Sequence, residues 1–248
     1  MSRFLNKTAV VTGGASGIGE AVVRRLAAEG AHVFIADFNE QQSGMLASEI
    51  GAQAVHVDVT KPHSVSAAFD VIDRIDLLMN SAGVAHVGNC ENTPVEEFER
   101  IFAVNVKGVY LAMQAALPKM VKQRAGAIVN VASIASKIGI ADRFAYSMSK
   151  GAVLTMTLSV AKDYVDKGVR ANCVCPGRVH TPFVDGFLAK NYPDNRDEMF
   201  AKLSAYQPIG RMGTPAEIAA LITFLGSDEA AFITGSAYDI DGGCTLLR

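Results

Sequence analysis

Tyr146 and Lys150 stand four residues apart in the run Tyr146-Ser147-Met148-Ser149-Lys150. If that run is helical, the two side chains lie one turn apart on a single face, because a helix advances about 100° per residue. A phenol is a poor proton carrier at neutral pH, its unperturbed pKa being about 10. A fixed cation beside it favours the phenolate and pulls that value down. A phenol so tuned can exchange a proton with an alcohol or carbonyl oxygen. The same spacing arises by chance on solvated helix faces, so its meaning depends on what the rest of the chain places around it. Arg143 precedes Tyr146 by three residues and would share the face if the helix extends back that far. A guanidinium there can grip a substrate carboxylate through two parallel hydrogen bonds. The alternative is an exposed arginine at the helix start, paired with Asp142 or water.

The elements that must position these groups alternate along the chain. Short β-rich runs fall near 7–12, 31–36, 53–57, 75–80, 126–132, 168–174 and 237–241. Most are continuously apolar, as parallel strands buried on both faces are. Helical patterns lie between them, near 17–29, 40–50, 62–74, 94–121, 144–166 and 214–227. Strand alternating with helix predicts one α/β domain over residues 1–248, a doubly wound, Rossmann-type, seven-stranded parallel sheet with helices on both faces. Residues 178–212 break the rhythm with Pro182, Gly186, Pro193 and Pro208, and a long connection of this kind is expected to be a substrate lid.

The first strand runs into Thr12-Gly13-Gly14-Ala15-Ser16-Gly17-Ile18-Gly19. Glycines 13, 17 and 19 permit a tight turn and close backbone approach to a ligand. The helix opening near Ile18 presents unpaired N–H groups and a positive dipole end, a natural seat for a pyrophosphate. The second predicted strand leads to Asp37, where a carboxylate can accept both hydroxyls of an adenosine ribose and repels a 2′-phosphate. No arginine or lysine stands at Gly14, Ala15, Phe38 or Asn39 to welcome that phosphate. The cofactor expected is therefore NAD rather than NADP.

Taken together, these runs resemble the short-chain dehydrogenases/reductases over the whole chain. The matching residues are the glycine turn, Asp58-Val59, Asn80-Ser81-Ala82-Gly83, Asn105, Ser133, Tyr146-Ser147-Met148-Ser149-Lys150 and Pro176-Gly177-Arg178-Val179-His180-Thr181. Ser133 precedes Tyr146 by 13 residues, as in the family. Ser81 departs from it, a second asparagine being commoner there. The resemblance implies that Gly13, Ser16, Gly17, Ile18, Gly19 and Asp37 bind NAD. By the same resemblance Asp58 and Val59 hold the adenine, and Asn80, Ala82 and Gly83 pack along the adenine-side ribose. Pro176, Gly177, Val179 and Thr181 close over the nicotinamide, and Lys150 binds its ribose while lowering the pKa of Tyr146. Ser133 steadies the substrate oxygen, Tyr146 carries the proton, and Asn105 kinks its helix and anchors a water that relays protons from Lys150.

Within the family, Arg143 and Asn172-Cys173-Val174-Cys175-Pro176-Gly177 look like two branches, the cytosolic type 2 3-hydroxybutyrate dehydrogenases and the 2-keto-3-deoxy sugar-acid dehydrogenases. The hydroxybutyrate enzymes carry further arginines in the lid. The corresponding stretch here offers Phe187 and Tyr206, with Arg178, Lys190 and Arg196 nearby, which favours a sugar-derived or other small hydroxy acid. A ketoreductase for acyl thioesters is a competing reading, opposed by Asp37 because such enzymes usually use NADPH. A non-catalytic NAD-binding regulator is another, opposed by the intact Ser133, Tyr146 and Lys150.

A net charge of −2 without a basic block gives no footing for nucleic acid. No run reads as long and apolar enough to span a bilayer, Val104 to Val121 being broken by Asn105, Lys107, Gln114, Pro118 and Lys119. With no room for a signal peptide before Lys7, the expected location is the cytoplasm. Cys90, Cys173, Cys175 and Cys244 form no metal-binding pattern and read as small buried residues in a reduced compartment; no metal is expected. The family resemblance implies a homotetramer paired through the helices near 94–121 and 144–166, with Val109, Met113, Val153 and Leu158 as surplus apolar residues.

Overall fold

The computed structural model describes residues 2–247, apart from the side chains of Phe183, Lys190 and Asn191. Lys190, named above as a lid cation, thus lies outside the described side chains. Seven strands, β1 (Thr8–Thr12), β2 (His32–Asp37), β3 (Gln53–His56), β4 (Leu77–Asn80), β5 (Gly126–Val131), β6 (Val169–Pro176) and β7 (Ala237–Ile240), form one sheet. Its order is β3-β2-β1-β4-β5-β6-β7, and every pairing is parallel. The order reverses between β1 and β4. Such a switch point leaves a crevice beyond the carboxyl ends of the strands, where ligands of α/β sheets bind.

Successive strand residues point to opposite faces. Val10 and Leu78 therefore join a core beneath α3 (Pro62–Asp70), α5 (Gly108–Gln123) and α6 (Phe144–Tyr164). Val11 and Leu77 join a second core beneath α1 (Gly17–Ala28), α2 (Glu40–Ile50) and α9 (Pro215–Gly226). Between α4 (Val95–Ile101) and α5 the helix widens into a π segment, Phe102–Lys107, with Asn105 inside it. Residues 178–212 contain two helices, α7 (Pro182–Asn191) and α8 (Arg196–Ala205), where the sequence suggested an irregular connection.

Several expectations need correction. Val109, Met113 and Val153 are core residues, 6%, 3% and 0% exposed, and leave no surplus for a partner. Among the four named, only Leu158 is exposed, accompanied on these helices by Phe102, Tyr110 and Phe144. The helical run Val95–Gln123, 29 residues, does reach the length and apolarity of a membrane span, yet 56% of its most apolar window is buried in the protein. Its apolar side faces the sheet. Cys90 is exposed, unlike the other three cysteines. Among the described residues no group of three or more His, Cys, Asp or Glu side chains is arranged to hold a metal.

Candidate active site

One cleft of about 670 Å³ opens at the carboxyl ends of the strands. Its floor near β1 is the glycine turn. Gly13 has φ of +65°, and a Cβ there would stand 2.6 Å from the backbone of Ala82, so only glycine fits. Ser16 is the N-cap of α1, but its side chain does not cap the helix. The first-turn N–H groups and the Ser16 hydroxyl are thus left for an anion. Gly13, Ser16, Gly17 and Ile18 line the cleft. Gly19 does not, contrary to its expected ligand role. A Cβ at Gly19 would overlap the Gly13 carbonyl oxygen, so this glycine lets α1 pack against its own turn.

Asp37, at the end of β2, accepts hydrogen bonds from the backbone N–H of Ala15 and of Asn39, each at 2.9 Å. Its carboxylate is fixed at the cleft edge beside the turn. Asp58 accepts from the Thr60 N–H at 2.9 Å and hydroxyl at 2.7 Å. Burial disfavours the Asp58 charge, but those two hydrogen bonds, with the charges of Lys61 and His56, together hold the carboxyl below the usual range. Val59, Ala82 and Gly83 line the same region. Phe38 and Val57 do too, and were not singled out from sequence. Phe38 is 70% exposed, its ring 5.5 Å from that of His56. An apolar ring left in water directly after a strand-end acid is a signal that was available. Asn80 is absent from the lining. It is 2% exposed, accepts from the Thr12 hydroxyl at 3.3 Å and donates to Asn130 Oδ1 at 2.8 Å. Its role is to tie β1, β4 and β5 together beneath the cleft.

Ser133, Tyr146 and Lys150 meet in the cleft wall. Ser133 stands two residues past β5, at the start of a short 3-10 turn, and its hydroxyl accepts from the Ala135 N–H at 3.1 Å. Ser133 stands close enough to the Tyr146 phenol to favour its charged form. Lys150 Nζ donates to the Val131 carbonyl at 2.7 Å and lies 5.7 Å from the Tyr146 ring centroid. Burial lowers the pKa of Lys150 from 10.5 to about 8, which weakens it as a fixed cation. The Tyr146 hydroxyl is not pulled down as the spacing suggested. Burial pushes it above its ordinary value, opposed by the nearby Ser133 and the charge of Arg143. A depressed lysine has a consequence for stability. Between pH 8 and 10.5 the unfolded chain holds a proton at Lys150 that the native chain has released. Native stability therefore rises with pH across that window. Lys150→Met removes the rise, so its stability relative to native should fall by up to about 3 kcal/mol as pH climbs through it. Urea unfolding of both proteins from pH 7 upward measures this; a constant difference would contradict it.

Asn105 lies off the cleft and is fully buried. Its Oδ1 accepts from Val84 N–H at 2.8 Å, and its Nδ2 donates to Val84 O at 2.9 Å and Ser149 Oγ at 3.0 Å. It thereby clamps the loop after β4 to the helix that carries Tyr146, and makes none of these bonds within its own helix. Arg143 lines the cleft but stands one residue before α6, as its N-cap, with φ of −130°. The shared helical face is therefore not the reason it is there. A backbone bridge to Gly88 and a bond from Nη1 to the His86 carbonyl at 3.3 Å place it. Pro176, Gly177, Val179 and Thr181 form the cover, joined by Ile140, Arg178, Val184, Leu203, Tyr206 and Met212. Phe187 is not in the lining and meets the ring of Tyr192, and Arg196 pairs with Asp185.

A family profile described as Enoyl-(Acyl carrier protein) reductase matches residues 13–245. A protein named Dehydrogenase/reductase SDR family member 6, from Aquarana catesbeiana, is 41% identical over 99% of the chain and 100% of its own length. The chain is a short-chain dehydrogenase/reductase. Another relative, 2-(S)-hydroxypropyl-CoM dehydrogenase 3 of Xanthobacter autotrophicus, is 39% identical over 99% of both chains. The ligand-free aldohexose dehydrogenase of Thermoplasma acidophilum superposes with a TM-score of 0.90 at 33% identity, covering 98% of this chain and 95% of its own. This short-chain dehydrogenase/reductase is an oxidoreductase, and its family binds NAD or NADP. The glycine cradle and uncapped helix start fit the pyrophosphate of such a dinucleotide.

Proposed function

We propose that this enzyme transfers a hydride between NAD and the secondary alcohol of a small hydroxy acid, a 2-keto-3-deoxy sugar acid oxidised at C4 being the substrate favoured. The observation that carries the acid is Arg143, a guanidinium in the wall that also holds Ser133 and Tyr146. Support for an alcohol substrate comes from a relative named for a 2-hydroxypropyl group, and support for a sugar-derived one from a solved structure named for an aldohexose. Asp37 supports NAD, because a carboxylate held at the cleft edge beside the glycine turn would repel a 2′-phosphate.

In oxidation, the substrate hydroxyl sits between Ser133 and Tyr146. The Ser133 hydroxyl stabilises the charge developing on that oxygen, and the Tyr146 oxygen takes its proton. The nicotinamide ring, when bound, supplies the hydride acceptor. Gly13, Ser16, Gly17 and Ile18 would hold the pyrophosphate, Asp37 the adenosine ribose, and Lys150 the nicotinamide ribose. Reduction runs the same steps backward. A relay of protons beside Lys150 is supported at Gly83, where an added methyl would lie 3.4 Å from Asn105 Oδ1 and 3.7 Å from Lys150 Nζ.

Arg143→Ala should lower kcat/KM for hydroxy acids by about 10- to 100-fold, the loss of a charge-assisted hydrogen-bond pair, and leave neutral alcohols little changed. Equal losses on both classes would remove the carboxylate contact. For assembly, the exposed Phe102, Tyr110 and Leu158 support pairing through α5 and α6; a homotetramer is expected by light scattering, and a monomer would refute it.

A further inference from the structure

Gln207 stands two residues past α8, at the far end of the lid, and is 2% exposed. A primary amide buried that deeply needs partners on both of its ends, because its oxygen only accepts and its nitrogen only donates. The two ends reach different parts of the chain. Nε2 donates to the carbonyls of Leu203 and Ser204, both at 3.4 Å, and of Arg211 at 3.1 Å, all on the lid side. Oε1 accepts from the backbone N–H of Arg178 at 3.4 Å and from the Cys244 thiol at 3.9 Å. Those two donors belong to the cover that follows β6 and to the segment that follows β7. This set of partners fixes the orientation of the amide, since turning it over would put its oxygen against three carbonyls.

The backbone around the carboxamide is close-set as well. Gly213 N donates to the Arg178 carbonyl and His180 N to the Gly213 carbonyl, each at 2.9 Å, so Val179 and Gly213 form a bridge at the base of the lid. Ile209 N donates to the Gly242 carbonyl at 3.0 Å, and a Cβ at Gly242 would lie 3.2 Å from Gln207 Cβ. Gly177 and Val179, which flank the N–H that Gln207 holds, cover the cleft on one side of the carboxamide. Leu203, whose carbonyl it also holds, lines the cleft on the other. A second link between cover and lid is the His180 ring, 5.1 Å from that of Phe200. That contact is at the surface, with the His180 side chain 45% exposed, whereas the carboxamide is shielded from competing water.

We infer that Gln207 is a positioning residue that couples the two grips of the cleft. Its carboxamide makes the cover over the nicotinamide and the lid over the substrate one hydrogen-bonded unit, so that a cofactor seated under the cover orders α8 before any substrate arrives. This rests on Gly177 and Val179 lying over the nicotinamide, as the family resemblance implies, and not on the identity of the substrate.

Trypsin reports on α8 through Arg196 and Lys202, whose side chains are 53% and 62% exposed. A bond inside a helix is cut only when the helix opens locally, so the cleavage rate follows the order of the lid. Saturating NADH should slow cleavage of the native enzyme by about 10-fold or more, the usual size of coupling between sites. Gln207→Met keeps the length of the side chain and removes its hydrogen bonds. There, saturating NADH should slow cleavage by less than about twofold, the coupling being lost. His180→Ala should keep the protection. Undiminished protection in Gln207→Met, none in the native enzyme, or protection lost in His180→Ala alone would overturn the inference. ADP-ribose, which lacks the nicotinamide ring, should bind and protect less than NADH. If it protects the native enzyme as fully as NADH while Gln207→Met still abolishes protection, the seat of the ring under the cover fails and the coupling stands. Should Gln207→Met not fold, hydrogen exchange in the native enzyme decides. NADH must then slow the Arg178 N–H and the amides of α8 by the same factor, and slowing of one without the other overturns the inference.

Discussion

Tyr146→Phe should reduce kcat by about 10³-fold, the scale of general acid–base catalysis by one group, and leave the affinity for NAD unchanged. The substitution removes one oxygen and keeps the ring. Lys150 remains on the Val131 carbonyl and Ser133 remains on Ala135, so the cleft keeps its shape. What is lost is the phenol that stands beside Ser133 in the cleft wall. The native enzyme adds a check by pH. Burial holds the Tyr146 hydroxyl above its ordinary value, so the phenolate fraction is small at neutrality and grows as pH rises. Oxidation, which needs the phenolate, should accelerate with pH, while reduction, which needs the phenol, should slow. Steady-state rates in both directions, with a titration of NAD into each protein, measure this. Turnover retained in Tyr146→Phe would place the proton on another group.

Asp37→Ala should reduce the preference for NAD over NADP on the order of 10²-fold, since a carboxylate against a phosphate costs several kcal/mol and its removal lifts that barrier. The Ala15 and Asn39 N–H groups lose an acceptor and become available to the 2′-phosphate. Gain of NADP turnover should therefore accompany loss of NAD turnover. The ratio of kcat/KM for the two cofactors is the readout. An unchanged ratio would remove Asp37 from the ribose site.

The sheet, its order of elements and the cradle were legible because each is written locally, in apolar runs, in glycines after a strand and in an acid after the next. Features that depend on neighbours distant in sequence were not. Asn80 and Gly19 read as ligand contacts, since nothing local reveals that Asn130 lies beside one and the Gly13 carbonyl beside the other. Arg143 reached the cleft for a reason different from its spacing. Asp142, just before it, takes a left-handed φ of 55°, which stops the helix, and the bridge to Gly88 then sets the arginine in place. Val109 and Met113 misled for a related reason. Each packs in one core with residues of α3 and α6 as well as of the sheet, and those neighbours, distant in sequence, use up the apolar surface that one sheet face would leave over. The direction of the Tyr146 shift was also beyond sequence, because proximity of Lys150 is visible in a motif whereas the burial of the phenol itself is not.

The central claim is that Ser133, Tyr146 and Lys150 move a hydride and a proton between NAD and the alcohol of a hydroxy acid. Absorbance of reduced nicotinamide, followed while native enzyme and NAD meet a panel of sugar-derived hydroxy acids, 3-hydroxy acids and neutral secondary alcohols, tests it most directly. Reduced cofactor is expected with the acids, much less with the neutral alcohols, and about 10³-fold more slowly with Tyr146→Phe. Tight NAD binding with no turnover of any alcohol, and no reduction of the matching ketones by NADH, would contradict it.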